Sequence, residues 1–366
     1  MNSFINAFRP IVIRFTLIFF IVSILVSCQL IPSNRADTAS APISTEESPP
    51  PPPEMFRSDL LNPLDVPHVY IEETCRYLRN RWHPRNAQPG TVVMVILFKN
   101  INRGTAELPD SVWIKDFFDL MDQLKAQGFE AINSDQLQAF IERNVLIPPR
   151  SVLLIQDGNQ TEEYFDKNFR EYFEKWGWSV VNGWVSDRNV DPILLEGNNS
   201  LEQEGFVDHQ ARGVTFDVIL TDDVAKTIIA RELQGSLGGF ADQFGKTPTA
   251  VIWPNGGFGI RPVEAARQLR FKLGFTANPR GPIMYNWIPL ADVPDPARPN
   301  LIPEGKIGDP PMTLPVYSPQ EAFAAIDTTR AIGKAATEFA LLNREAEYEY
   351  YELVCEEEYG PIPLSP

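Results

Sequence analysis

The chain has 366 residues, 48 of them acidic and 32 basic, which gives a formal charge of −16 at neutral pH. An acidic excess of this size argues against nucleic acid and anionic lipid as partners, since both are held by clustered Lys and Arg. A hydrophobic content of 43%, with 11% aromatic residues, is enough for one sizeable core.

The N-terminus reads as an export signal. Arg9 and Arg14 form a basic start, and Phe15 to Ser27 is nearly all apolar. Leu25-Val26-Ser27-Cys28 closes the run and resembles a lipobox, in which Cys28 becomes the lipidated first residue of the mature chain. The alternative is an uncleaved anchor helix, for which the run is short against the roughly 20 residues that span a bilayer. Either way the rest of the chain lies on the extracytoplasmic side, attached to the membrane. Loss of residues 1–27 removes Arg9 and Arg14 and shifts the charge from −16 to −18. Residues 28–66 read as a tether, rich in Ser, Thr, Ala and Pro, with consecutive prolines from Pro49 to Pro53 that favour a stiff polyproline segment.

From residue 67 to 317 strands alternate with helices. Val92 to Phe98 is a continuous apolar run, as expected of a strand buried on both faces. A helix is expected from Asp110 and Ser111 to Gln127, with Trp113, Phe117, Leu120, Met121 and Leu124 on one stripe and Gly128 ending it. A short strand, Phe129 to Ile132, precedes a helix over Asp135 to Arg143 capped by Ser134. Ser151 to Ile155 is a third strand, followed by helix Glu162 to Lys175 and strand Ser179 to Asn182. Phe206 to Gln210 is a fifth strand, Asp222 to Phe244 a long helix, and Ala250 to Trp253 a sixth strand. Helix Arg261 to Leu273 and strand Phe275 to Ala277 complete the series. Such alternation implies an α/β fold with parallel pairing and right-handed crossovers, either a barrel or a doubly wound sheet.

Residues 278–319 are Pro-rich and weakly periodic. Ser318-Pro319-Gln320-Glu321 is then a capping box with Pro at the first helical position. The predicted helix reaches about Tyr359 within a C-terminal segment of residues 318–366. Phe323, Ile326, Ile332, Phe339 and Leu342 are its candidate packing residues, and seven Glu lie between Glu345 and Glu358. It serves either as a docking helix for a protein partner or as a cover over an open sheet edge. With Cys28 lipidated, Cys75 and Cys355 remain near the two ends of the folded part. In an oxidising compartment they form a disulfide or stay as two separate thiols.

Three stretches carry chemistry. Val152 to Ile155 runs into Gln156-Asp157-Gly158; Arg212-Gly213-Val214-Thr215-Phe216 follows the fifth strand; Trp253-Pro254-Asn255-Gly256 follows the sixth. In order and spacing they resemble the polysaccharide deacetylase (NodB-like) family, whose pattern is strand-Asp-Asp-Gly, then His-x-x-x-His, then a Pro-Tyr-Gly-type turn. The resemblance covers roughly residues 90 to 310 and implies an incomplete (β/α) barrel with a C-terminal helical extension. It also implies a divalent metal such as zinc on one carboxylate and two imidazoles, a second carboxylate as base, and a later His as acid. By position, Gln156 stands for the base, Asp157 for the carboxylate ligand, and Arg212 and Phe216 for the imidazoles. The backbone N–H of Asn255 takes the oxyanion position.

The residue types depart from that chemistry. Gln156 has no basic oxygen, Arg212 has no lone pair for a cation, and Phe216 has no donor atom. The three histidines are His68, His83 and His209, so none follows residue 209 to act as the late acid. Strand alternation turns His209 to the helix side if Arg212 faces the barrel, which argues against a rebuilt metal site with Asp208 and Asp217. The surviving carboxylate of Asp157 is expected to pair with Arg212, with Phe216 filling the remaining space. The expected groove is Asp157, Arg212, Trp253, Pro254, Asn255 and Gly256. Trp253 is either a sugar-stacking platform or a core residue.

The sequence thus predicts a membrane-anchored deacetylase-like protein without cofactor, impaired in catalysis, with a glycan-binding or cell-envelope role in which the partner is a cell-wall or surface glycan. The alternatives are an active N-deacetylase with altered metal ligands and a structural envelope lipoprotein.

Overall fold

The computed structural model describes residues 50–104, 110–296 and 301–363. The expected signal sequence, Cys28 and the part of the expected tether before residue 50 lie outside the described residues. Among the described residues no helix is long and apolar enough to cross a membrane.

The elements in chain order begin with strand β1 (Asp65–His68), helix α1 (Thr74–Trp82), the apolar strand β2 (Val92–Phe98), and the paired short strands β3 (Asn100–Asn102) and β4 (Ser111–Trp113). Helix α2 (Ile114–Ala126), strand β5 (Glu130–Ala131), helix α3 (Ser134–Arg143) and strand β6 (Arg150–Asp157) follow. Next come α4 (Glu162–Asn168), α5 (Arg170–Trp176), β7 (Val180–Val185), α6 (Pro192–Glu204), β8 (Val207–Gly213) and α7 (Lys226–Phe244). The series ends with β9 (Ala250–Ile252), α8 (Ile260–Gln268), β10 (Leu273–Phe275), β11 (Ile288–Ala291) and the 32-residue helix α9 (Pro319–Tyr350).

The main sheet is parallel and wound in one direction, in the order β10-β9-β8-β7-β6-β2, with β5 also on β6. Helices flank its outer face, so the sheet is the incomplete (β/α) barrel expected from the sequence. The stretch 314–317 lies in the opening between the outer strands. Leu314 N donates to Gly274 O at 2.8 Å on the β10 side, and Tyr317 N donates to Val95 O at 2.9 Å on the β2 side. The Pro-rich region therefore supplies the plug of the barrel. Val93, Val95, Ile155, Val181, Ile252 and Phe275 fill the interior with Leu314 and Val316. Outside the sheet, Phe98, Val152 and Leu154 pack on Phe117 of α2, Phe165 of α4 and Ile326 of α9. The last helix thus covers β2, and Gly333 lets it approach closely: a Cβ there would stand 2.8 Å from Gly90 O.

Several boundaries differ from the sequence reading. The folded body begins before residue 67, because Asp65–His68 pairs antiparallel with Ile288–Ala291 and the Trp287 indole donates to Phe56 O at 2.9 Å. Residues 111–113 are strand rather than helix, paired to β3, and Trp113 is part-exposed at the start of α2. The helix expected over Glu162 to Lys175 breaks at Phe169, whose ring packs edge-on to Phe98 and Phe117. The cap of α3 is Asn133 in a reciprocal capping box with Gln136, while Ser134 donates to Asp208 instead. Asp222 lies before α7 and caps α8, accepting from Ile260 N at 3.0 Å and Arg261 N at 2.8 Å. Helix α6 was not expected, although Asp191, Pro192 and Gly205 mark both its ends.

The C-terminal helix starts on its Ser318–Glu321 capping box as expected. Ile326 and Ile332 are buried, but Phe323 and Leu342 are 50% and 86% exposed and do not pack on the barrel. Beyond α9 the chain makes one π-helical turn over Tyr351–Cys355 and a final turn, α10 (Glu356–Tyr359). Cys75 and Cys355 are joined, with Cα atoms 5.3 Å apart. This bridge ties α1 to the helix end around Leu78, Tyr351 and Ile362.

Candidate functional site

The C-terminal ends of β6, β8 and β9 bring three loops together. Asp157 ends β6, and Asn182 of β7 fixes the next turn by donating to Gln156 O at 3.0 Å and Gly158 O at 2.8 Å. Arg212 is the bulged residue next to the end of β8, skipped where the register shifts against β7, and Gly213 ends the strand with φ +110°. The buried Glu232 of α7 holds the following loop. Its carboxylate accepts from Val214 N at 2.9 Å, Thr215 N at 3.0 Å and Thr215 Oγ1 at 2.8 Å. The sequence reading missed Glu232; its only local signal is a Glu on the otherwise apolar face of a long helix.

Asp157 and Arg212 form the expected ion pair. Arg212 Nε donates to Asp157 Oδ1, and Nη2 lies 3.4 Å from Oδ2. The two side chains are only 10% and 6% exposed, so solvent screens the pair little. The remaining guanidinium donors reach Phe216 O at 3.0 Å and Asn255 Oδ1 at 3.5 Å. Asn255 adopts φ +52° in the turn after β9 and donates to Val218 O at 3.4 Å. One guanidinium thus joins the β6, β8 and β9 loops.

Other expected site residues lie elsewhere. Gln156 shares the outward face of β6 with Val152 and Leu154 and is fully buried. Its Nε2 donates to Lys99 O at 3.0 Å and its Oε1 accepts from the Tyr164 hydroxyl at 2.8 Å, so it is a structural residue beneath α4 and not part of the groove. Trp253 is 2% exposed, and its indole donates to Met312 O at 2.8 Å, so it is a core residue and offers no sugar platform. Pro254 and Gly256 are buried in the turn beside it. Phe216 is 47% exposed and does not fill the space beside Asp157. It stands at the rim, its ring centroid 6.0 Å from the Arg212 guanidinium carbon. Pinning of Val214 and Thr215 by Glu232 carries the next residues outward, which explains the difference.

A divalent cation does not fit this arrangement. Of the three positions that the deacetylase resemblance assigns to metal ligands, one holds a guanidinium and one a phenyl ring, and Arg212 engages both oxygens of Asp157. His209 offers no replacement. It is fully buried on the helix side, Nδ1 at 2.8 Å from Glu202 and Nε2 at 2.9 Å from Asn198 Oδ1. Burial pushes its pKa below the usual range despite the Glu202 carboxylate. Among the described residues no group of three His, Cys, Asp or Glu side chains is placed to hold a metal.

No protein-family model matches the sequence, and comparison with curated proteins returns no match. Comparison with solved structures does. The Streptococcus pyogenes deacetylase PplD, solved in complex with acetate, aligns with a TM-score of 0.50 at 14% identity, over 65% of this chain and 99% of that one. A de-N-acetylase from Aggregatibacter actinomycetemcomitans aligns with a TM-score of 0.48 at 14% identity, over 65% and 99% of the two chains. IcaB from Ammonifex degensii gives 0.48 at 10% identity, over 67% and 98%. Together with the one-way parallel sheet, the match to PplD shows that this chain has the fold of the NodB-like polysaccharide deacetylases.

Proposed function

We propose that this chain is an exported, lipid-anchored protein whose deacetylase-type groove binds a cell-envelope glycan without hydrolysing it. The observation that carries this reading is the buried Asp157–Arg212 pair. It sets a fixed protein cation where hydrolysis would need an exchangeable metal and an activated water. Gln156, turned under α4, supplies no base. What remains at the strand ends is the exposed Asn255 amide and the half-exposed Phe216 ring beside the buried ion pair. Phe216 takes the sugar-stacking role that Trp253 cannot take, because an aromatic face packs on the C–H face of a pyranose. Asn255 beside it supplies an amide for sugar hydroxyls. Lipid on Cys28 keeps the chain at the membrane, and the stiff Pro-rich tether sets the folded part off from it.

The test pairs two measurements on the purified protein. Metal content and acetate release from N-acetylated oligosaccharides should both be at background. Titration with the same oligosaccharides should show binding that weakens about tenfold, roughly 1.4 kcal/mol, in Phe216→Ala. Stoichiometric metal with acetate release would overturn the reading in favour of an active hydrolase. Absence of any glycan binding would leave only a structural envelope role. Mass spectrometry of the mature N-terminus should show diacylated or triacylated Cys28, and Cys28→Ser should abolish the modification.

A further inference from the structure

The end of helix α9 and the turn after it have an exposed face with no packing partner among the described residues. Leu341, Leu342 and Leu353 are 60%, 86% and 66% exposed. Glu345, Glu349 and Glu352 lie between them and are also exposed. None of these three glutamates forms an ion pair among the described residues, and the nearby Arg344 is turned away onto the Trp82 and Tyr348 rings. The opposite face is firmly held. Glu347 is buried, paired to Arg81 Nε at 2.9 Å and accepting from the Trp82 indole at 2.6 Å, and Cys355 is bridged to Cys75. Leu342 and Leu353 are eleven residues apart, about three turns along α9 and the π-helical turn that follows it. The disulfide-clamped end therefore presents a rigid strip, leucines at both ends and uncompensated carboxylates between.

We infer that this strip docks a basic amphipathic helix of another protein, one with apolar residues three turns apart and Lys or Arg between them. Charge selects this occupant. A second copy of the same strip would set Glu against Glu, and anionic lipid is repelled in the same way, whereas a cationic helix meets both the leucines and the carboxylates. The bridge to α1 holds the strip ordered before binding, which lowers the entropic cost of association. The inference does not rest on the groove or its glycan.

The experiment uses the full-length oxidised protein and three labelled synthetic helices, followed by fluorescence anisotropy. One peptide has Leu at i, i+4, i+7 and i+11 with Lys between; the second permutes the same residues to destroy the face; the third replaces Lys by Glu. The first should bind at least tenfold more tightly than the other two, and more weakly as salt rises. Leu342→Ser with Leu353→Ser should weaken it about tenfold while far-UV circular dichroism stays unchanged. Equal binding of the amphipathic and permuted peptides would overturn the inference, as would affinity unaltered by the double substitution. Self-association of the chain through this strip, or its binding to anionic vesicles, would also overturn it.

Discussion

Among the described residues, Arg212 and Arg280 are both buried against carboxylates, and they differ in charge balance. Arg212 faces one carboxylate, Asp157, and its other donors meet neutral oxygens of Phe216 and Asn255. Arg280 faces three: Asp65 at 3.3 Å, Asp295 at 3.1 Å and Glu304 at 3.2 Å. One guanidinium cannot satisfy them all. Asp65 Oδ2, Glu304 Oε2 and Asn278 Oδ1 are buried and have no hydrogen-bond donor among the described residues. The shortfall appears as a weakened acid, a carboxyl that holds its proton. Burial pushes the Asp65 carboxyl up to about 7; Arg280 pulls it back, and Glu304 and Asp295 push it further. In the groove a side-chain cation stands where the related chemistry needs a metal. In the second cluster a proton supplies the charge and the donor that Arg280 cannot. Buried carboxylates are tolerated only when something positive accompanies them, and a proton serves as well as a guanidinium.

That comparison can be broken at several points. Arg280→Met should have the largest effect, because three carboxylates lose their shared cation. We expect about 5 kcal/mol of lost stability in urea unfolding at neutral pH, the upper end for stripping one partner from a buried pair. Arg212→Met should cost less, about 3 kcal/mol, and adding Asp157→Leu should restore most of it, since replacing both partners removes the unpaired charge. If the Arg212 variant is hurt as much as the Arg280 variant, charge balance is not what separates the two sites.

The pH dependence sharpens the same contrast. The folded chain keeps a proton on Asp65 that the unfolded chain releases near its ordinary value of 3.8. Folded protein therefore binds more protons between about pH 4 and 7, and stability falls as pH rises through that window and levels off above it. With about 1.4 kcal/mol per pKa unit, the loss is on the order of a few kcal/mol. Asp65→Asn should flatten this part of the profile and leave the variant more stable than the parent at pH 8. A slope that survives the substitution would place the titrating group elsewhere. The smallest effect belongs to Phe216→Ala, whose ring is half exposed: less than about 0.5 kcal/mol in unfolding, against the tenfold loss expected in glycan binding.

Much of the architecture was legible in local sequence. Strand–helix alternation gave the parallel sheet, Ser318 and Glu321 marked the start of the last helix, and the residue types at 156, 212 and 216 showed that the family's ligand pattern is not kept. Each of these is a property of neighbouring residues, which is why a linear reading reaches it. The identity of the Arg212–Asp157 pair was also readable from charge, because Arg212 stands at a lost ligand position and Asp157 is a carboxylate left without a cation, although β7 lies between their strands.

What only the tertiary structure decided depends on distant segments. Val152 to Gln156 is buried on both faces, so no alternation of polarity told that Gln156 turns to the helices and Asp157 to the barrel. Trp253 is a core residue because the segment at Met312 closes over it, and Phe216 is exposed because Glu232 on a later helix holds its loop. The plug at 314–317 makes its hydrogen bonds to strands on both sides of the opening, so its weak periodicity concealed a structural role. The Arg280 cluster assembles residues 65, 280, 295 and 304, with Asp65 and Arg280 separated by 215 positions. A sequence fixes which side chains exist and what each can do chemically; which charges share one buried space is set by the packing of the whole chain.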